Sequence, residues 1–81
     1  MDRTEYTILE FLKQHPKEGY QVHEVADGIG EWNPPQGLGK QILYAIGIAA
    51  SIGGSLDELV KERLVDKKKI DGIDWYCIRR Q

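Results

Sequence analysis

The chain has few of the residues from which most enzyme and metal sites are built. Its 81 residues include one cysteine, Cys77, and two histidines. A single cysteine forms no internal disulfide and no thiolate cluster, which fits a reducing cytosol. His23 and Asp27 lie one helical turn apart, but two ligands do not make a metal site. We therefore expect no metal, no other cofactor, and no enzymatic activity.

Long apolar runs are missing as well. The longest stretch without a charged residue is 41–56, and three glycines interrupt it. A membrane-spanning helix needs about 20 apolar residues. The N-terminus also lacks the basic segment and apolar run of a signal peptide. These features predict a cytoplasmic protein that does not enter a membrane.

An overall excess of positive charge is absent too, since the formal net charge is −2. Residues 1–31 carry seven acids and three bases (−4), whereas residues 32–81 carry eight bases and six acids (+2). The positive charge gathers at Lys67, Lys68 and Lys69 and at Arg79 and Arg80. Two interpretations are open: a solvated hairpin edge that discourages pairing with another chain, or a surface that contacts phosphates.

The length fits a single domain over 1–81, and its first part predicts two helices. Asp2 and Glu5 have capping-box spacing, and the apolar residues that follow predict a helix over 4–14 that ends before Pro16. Residues 20–22 alternate apolar and polar side chains, which is typical of a short strand. Apolar residues on one face then predict a second helix over 23–29.

The next segment predicts a loop and a third helix. Pro34 and Pro35 exclude helix from 31–37, and we expect Trp32 in this loop to cover the core. From Leu38 onward the apolar positions keep a helical step without a slip, which predicts one helix over 38–63. Two helices, broken near Gly47 or near 53–54, are the alternative, because each interior glycine costs about 1 kcal/mol relative to alanine.

The C-terminal part predicts a β-hairpin. Segments 64–70 and 73–78 are rich in β-branched and aromatic residues, and Asp71 and Gly72 lie between them. Both central positions of a type I′ turn need positive φ, which Asp tolerates and Gly adopts freely. We expect Trp75 on the outer face near Lys68, with Val65, Tyr76 and Ile78 facing the helices. The turn pairs Ile70 with Ile73, Lys69 with Asp74, Lys67 with Tyr76, and Val65 with Ile78.

A helix that ends in a Leu-Val pair and runs into a short hairpin resembles the winged-helix (winged helix-turn-helix) DNA-binding superfamily. The resemblance implies an α+β fold: a small three-helix winged-helix domain with a C-terminal β-hairpin wing at Asp71-Gly72. In that family a strand at the position of residues 20–22 adds to the edge of the wing. The chain departs from the family by extra residues between the second helix and the Leu-Val pair, so the third helix is either extended or split.

The resemblance implies a DNA-binding domain of a small transcriptional regulator, with double-stranded DNA as its partner. In such a domain the wing lysines Lys67, Lys68 and Lys69 contact phosphates, and polar helix residues reach base edges in the major groove. The polar helix residues available for this role are Lys40, Gln41, Tyr44, Ser51 and Ser55.

The alternative is a winged-helix protein-interaction module that does not bind DNA. The uncharged helix segment 41–56 carries apolar residues around most of its circumference, more than two short helices and a small sheet can cover. We expect a protein interface at Ile46, Ile48 and Ile52, shared with another protein or with a second copy. A two-fold homodimer is the commonest arrangement for such a surface.

Overall fold

Three helices precede one β-hairpin in the computed structural model, which describes residues 1–79. Arg80, part of the predicted basic cluster, lies outside the described residues. The elements are α1 (Arg3–Gln14), α2 (Val22–Gly28), α3 (Leu38–Lys61), β1 (Val65–Ile70) and β2 (Ile73–Ile78). This order confirms the α+β class and the positions predicted for the three helices and the hairpin.

Local capping sets the limits of the first two helices. The Asp2 carboxylate accepts a hydrogen bond from the Glu5 amide at 2.8 Å, and α1 ends just before His15 and Pro16. The amide of Gln21 donates to the Glu24 carboxylate at 2.8 Å, so α2 begins at the next residue. These contacts satisfy backbone groups that a helix terminus leaves unpaired.

The third helix is continuous, so the alternative of two helices is wrong. Its C-terminal half buries Ile52, Leu56 and Leu59 against the rest of the molecule, and this packing offsets the cost of the interior glycines. The helix ends two residues earlier than predicted. Arg63 has a φ of 63°, and the amide of Leu64 donates to the Leu59 carbonyl at 3.0 Å. This left-handed ending turns the chain into β1.

The hairpin has the predicted register at every pair, from Val65 opposite Ile78 to Ile70 opposite Ile73. Asp71 and Gly72 have φ values of 52° and 79°, as the two-residue turn requires. Val65 and Tyr76 are buried, and Ile78 packs against the core. Trp75 lies on the other face of the hairpin, close to Gly19. A Cβ atom added to Gly19 would lie 3.1 Å from the Cβ atom of Trp75.

The predicted third strand is reduced to one residue. Tyr20 forms a bridge with Tyr76, with N–H···O distances of 2.7 and 2.8 Å in the two directions. The chain cannot continue this pairing because Gln21 caps α2 and Val22 is its first residue. The described residues therefore form a two-stranded sheet with a single bridging residue beside β2.

The core lies between α1, α2, the hairpin and the C-terminal half of α3. Its fully buried large side chains are Ile8, Leu12, Val25, Leu56, Leu59 and Val65. Within residues 1–79, the first fourteen positions of α3, 38–51, contribute none of the buried core. Most side chains in the N-terminal half of this helix therefore lie outside the core of the domain.

Candidate functional site

The N-terminal half of α3 exposes four large apolar side chains. Leu38, Ile42, Leu43 and Ile46 are 75%, 52%, 71% and 61% exposed. Lys40 is the single charged residue between positions 38 and 51. Ile46 lies four positions after Ile42 and three after Leu43, so it shares a side of the helix with both. We refer to these four residues as the α3 apolar surface.

The neighbouring side of the same helix half is held by the loop that precedes it. The Tyr44 hydroxyl donates to the Glu31 carbonyl at 2.6 Å and accepts from the Asn33 amide at 2.8 Å. The Trp32 ring meets the Tyr44 ring edge-on, with 5.5 Å between centroids, and it also packs against the core. Trp32 thus covers core residues, as predicted. The loop fixes α3 while leaving the α3 apolar surface uncovered.

A cavity of about 260 Å³ lies between α3 and the end of the hairpin. The hairpin contributes Ile73, which is 44% exposed, and its cross-strand neighbour Ile70 is 53% exposed. Ile73 therefore adds apolar area beside α3, whereas Ile70 lines a different depression together with Lys68 and Trp75. The residues that line the cavity are Gln21, Val22, His23, Trp32, Ala45, Ile48, Ala49, Ile73 and Asp74.

Small residues leave open space along the exposed side of α3. A Cβ atom added at Gly39, Gly47 or Gly54 would meet nothing within 4 Å. Because glycine has no side chain, another helix or strand can approach the helix backbone closely at these positions.

Acidic residues hold one of the three hairpin lysines, Lys67. The Lys67 ammonium lies 3.2 Å from Asp57 Oδ1 and 3.7 Å from Asp74 Oδ2. The Tyr76 hydroxyl donates to the same Asp57 oxygen at 2.9 Å. The hydrogen bond to Asp57 raises the pKa of Lys67. Burial, together with the Asp57 carboxylate, raises the pKa of Tyr76 to about 12. Lys67 therefore ties the hairpin to α3.

The other predicted nucleic-acid-binding residues fall into separate groups. Lys68 and Lys69 are exposed and form no ion pair with any described residue. On α3, Lys40, Gln41 and Ser51 are exposed and Ser55 is half-buried, whereas the Tyr44 hydroxyl is occupied by the loop. Lys40 lies in the first turn of α3, roughly 25 Å along the axis from the Asp57 that holds Lys67. The structure therefore separates Lys40 and Gln41 from Lys67, whereas Ser55 lies two positions before Asp57 on the same helix.

The predicted protein-interface residues also differ in their positions. Ile46 is exposed, Ile48 is half-buried and lines the cavity, and Ile52 is 4% exposed in the core. Ile52 is therefore not available to a second molecule, because the core of its own domain covers it. The expectation omitted Ile73, which lines the cavity and directly follows the Asp71-Gly72 turn.

Comparison with known proteins found no relative of this chain: no family model, no curated protein and no solved structure matches it.

Within residues 1–79, no group of three or more His, Cys, Asp or Glu side chains is arranged to hold a metal ion. By length and composition, α3 is apolar enough to cross a membrane, a criterion that core helices of soluble proteins also meet. The cytoplasmic location and the lack of enzymatic activity stay predictions.

Proposed function

We propose that this chain is a protein-association module of the winged-helix type, and that it binds its partner through the α3 apolar surface. The observation that carries the proposal is the exposure of four large apolar side chains, 52% to 75% each, in a part of α3, residues 38–51, that contributes no fully buried residue to the core. The largest exposed apolar patch of a soluble monomer is often the one that serves an interaction.

The element order supports the winged-helix part of the proposal. A residue bridged to the hairpin, Tyr20, precedes α2 and α3, and the hairpin follows α3 directly. In the superfamily a strand at this position adds to the edge of the wing, and the third helix is the one presented to a partner. The exposed half of α3 is compatible with that role.

The chemistry of the presented helix favours a protein over a base-reading role. Base edges are read by hydrogen-bonding side chains. The exposed side of α3 carries leucine and isoleucine, and the Tyr44 hydroxyl already has two partners in the loop. Burial of apolar area is the main favourable term in most protein associations.

The proposal can be tested with a photo-crosslinking amino acid placed at Ile46 of the full chain, in the cells in which the protein naturally occurs. We expect a discrete protein adduct from position 46 and none from position 51, since Ser51 is exposed on the same helix but lies outside the α3 apolar surface. Adducts from neither position, or equal labelling from both, would contradict the proposal.

A second candidate function, contact with duplex DNA through the hairpin, is favoured by one observation. Lys68 and Lys69 are exposed on β1 and have no ion pair within the described part of the chain. Lysines in this arrangement can neutralise phosphates without reading base sequence. Such contact would add general affinity for DNA to a module whose α3 binds protein.

A further inference from the structure

We infer that the partner of the α3 apolar surface is a second copy of this chain, bound across a two-fold axis. The inference rests on the proposed function, because it names the occupant of the same surface. Three features of the surface point to this occupant: its lack of charge, its combination of a ridge with a cavity, and its area.

The lack of charge limits which partners can bind. Residues 41–56 carry no ionisable acid or base apart from Tyr44, whose hydroxyl is already paired. A charged partner would lose its hydration there without gaining an ion pair, which is costly. The partner face must therefore be as uncharged and apolar as α3. A second copy presents such a face, on which Lys40 is the single charged residue between positions 38 and 51.

The surface carries both a ridge and a cavity. Leu43 and Ile46 project from α3 and are mostly exposed, whereas Ala45 and Ala49 of the same helix line the cavity beside Ile73. In a two-fold dimer each contact occurs twice, so the ridge of one copy can fill the cavity of the other. The open space at Gly47 allows the two helices to approach closely.

The exposed area suits a small specific interface. If a fully exposed Leu or Ile presents roughly 200 Å², the four exposed fractions correspond to about 500 Å² per chain and about 1,000 Å² for two copies. Ile73 at the hairpin tip, which lines the cavity beside α3, adds to this area. The total approaches the roughly 1,200 Å² at which stable interfaces begin.

Sedimentation equilibrium of the purified full chain, from about 10 μM to about 1 mM, tests the inference across the range of a weak to moderate dimer. We expect the average mass to rise from 9.2 kDa toward twice that value. Ile46→Glu should weaken association at least tenfold, since it places a charge in the apolar interface. Ser51→Glu, with the same new charge on the same helix, should leave association unchanged.

A second variant distinguishes a weakened interface from misfolding of the Ile46→Glu protein. Leu43→Glu lies one helical turn away on the same surface, where the side chain is 71% exposed, and it should weaken association as Ile46→Glu does. Far-UV circular dichroism at low concentration should show native helix content for all three variants. Association that neither Ile46→Glu nor Leu43→Glu weakens would overturn the inference.

The outcomes separate this inference from the proposed function. A 9.2 kDa monomer throughout the range overturns the second-copy inference. If crosslinks from position 46 then join a different protein, the association function stands with another partner. If that monomer gives no crosslinks but pellets with phosphatidylcholine vesicles, both proposals fail and the surface binds lipid.

Discussion

At the scale of residues, Tyr76 has the best-defined electrostatic role. Its ring is buried and its hydroxyl donates to Asp57, which raises its pKa to about 12. The neutral form is thus favoured in the folded state. Its contribution to the free energy of unfolding is complete below pH about 10, the pKa in the unfolded chain, and is lost as pH rises from about 10 to 12. The raised pKa of Lys67 acts in the same direction.

Tyr76→Phe should therefore have two effects. It should lower the free energy of unfolding at about pH 7 by about 1 kcal/mol, because Asp57 loses a hydrogen-bond donor. It should also reduce the loss of stability above pH about 10, leaving the part that belongs to Lys67. Urea unfolding at neutral and alkaline pH measures both effects. Tyr6→Phe is the control, since Tyr6 is 58% exposed. If the free energy of unfolding fell by the same amount above pH about 10 in both variants, the electrostatic role of Tyr76 would be contradicted.

At the scale of elements, two helical glycines should respond in opposite directions to alanine. Gly54→Ala in α3 adds a Cβ atom that meets nothing within 4 Å, so it should stabilise the chain by up to about 1 kcal/mol through helix propensity. Gly28→Ala in α2 would place its Cβ atom 2.3 Å from Cζ of Phe11. Because the Phe11 ring must then move out of a packed site, we expect a loss of about 1–3 kcal/mol.

Urea unfolding of both variants, at a concentration where the chain is monomeric, provides the comparison. Each variant is the control for the other, because the substitution is the same and the surroundings differ. A loss of stability in Gly54→Ala would show that α3 does not hold a regular, uncrowded helix at that position.

At the scale of the whole molecule, the charge distribution bears on the proposed contact between the hairpin and DNA. The net charge is −2, and Asp57 and Asp74 already pair with Lys67. If the hairpin contacts phosphates, Lys68→Ala and Lys69→Ala together should reduce the slope of log affinity against log salt by about 2, at about 0.9 per phosphate contact. Lys67→Ala should change this slope less, since its charge is already neutralised within the chain.

Fluorescence anisotropy of a labelled duplex between about 50 and about 200 mM salt measures these slopes. An equal change in slope from Lys67→Ala and from either exposed lysine would show that the Asp57 pairing does not persist on DNA. Duplex binding weaker than millimolar in low salt would exclude the DNA candidate.

The sequence by itself determined those features that depend on neighbours along the chain. Asp71 and Gly72 set the turn and the register of every strand pair, since the backbone conformation of two residues fixes both. Asp2 and Pro16 bounded α1 in the same local way. The unbroken helical step of α3, and its surplus of apolar residues, could also be read from the chain alone.

Tertiary structure decided which side of α3 is covered. Ile46 and Ile52 are the same residue type in one helix, yet they are 61% and 4% exposed, because Ile52 lies in the core of the domain and Ile46 lies outside it. The role of Tyr44 in holding the loop, and the reduction of the third strand to Tyr20, also depend on segments distant in sequence. The sequence shows at which spacing apolar side chains recur, but whether each one is buried depends on where the rest of the chain lies.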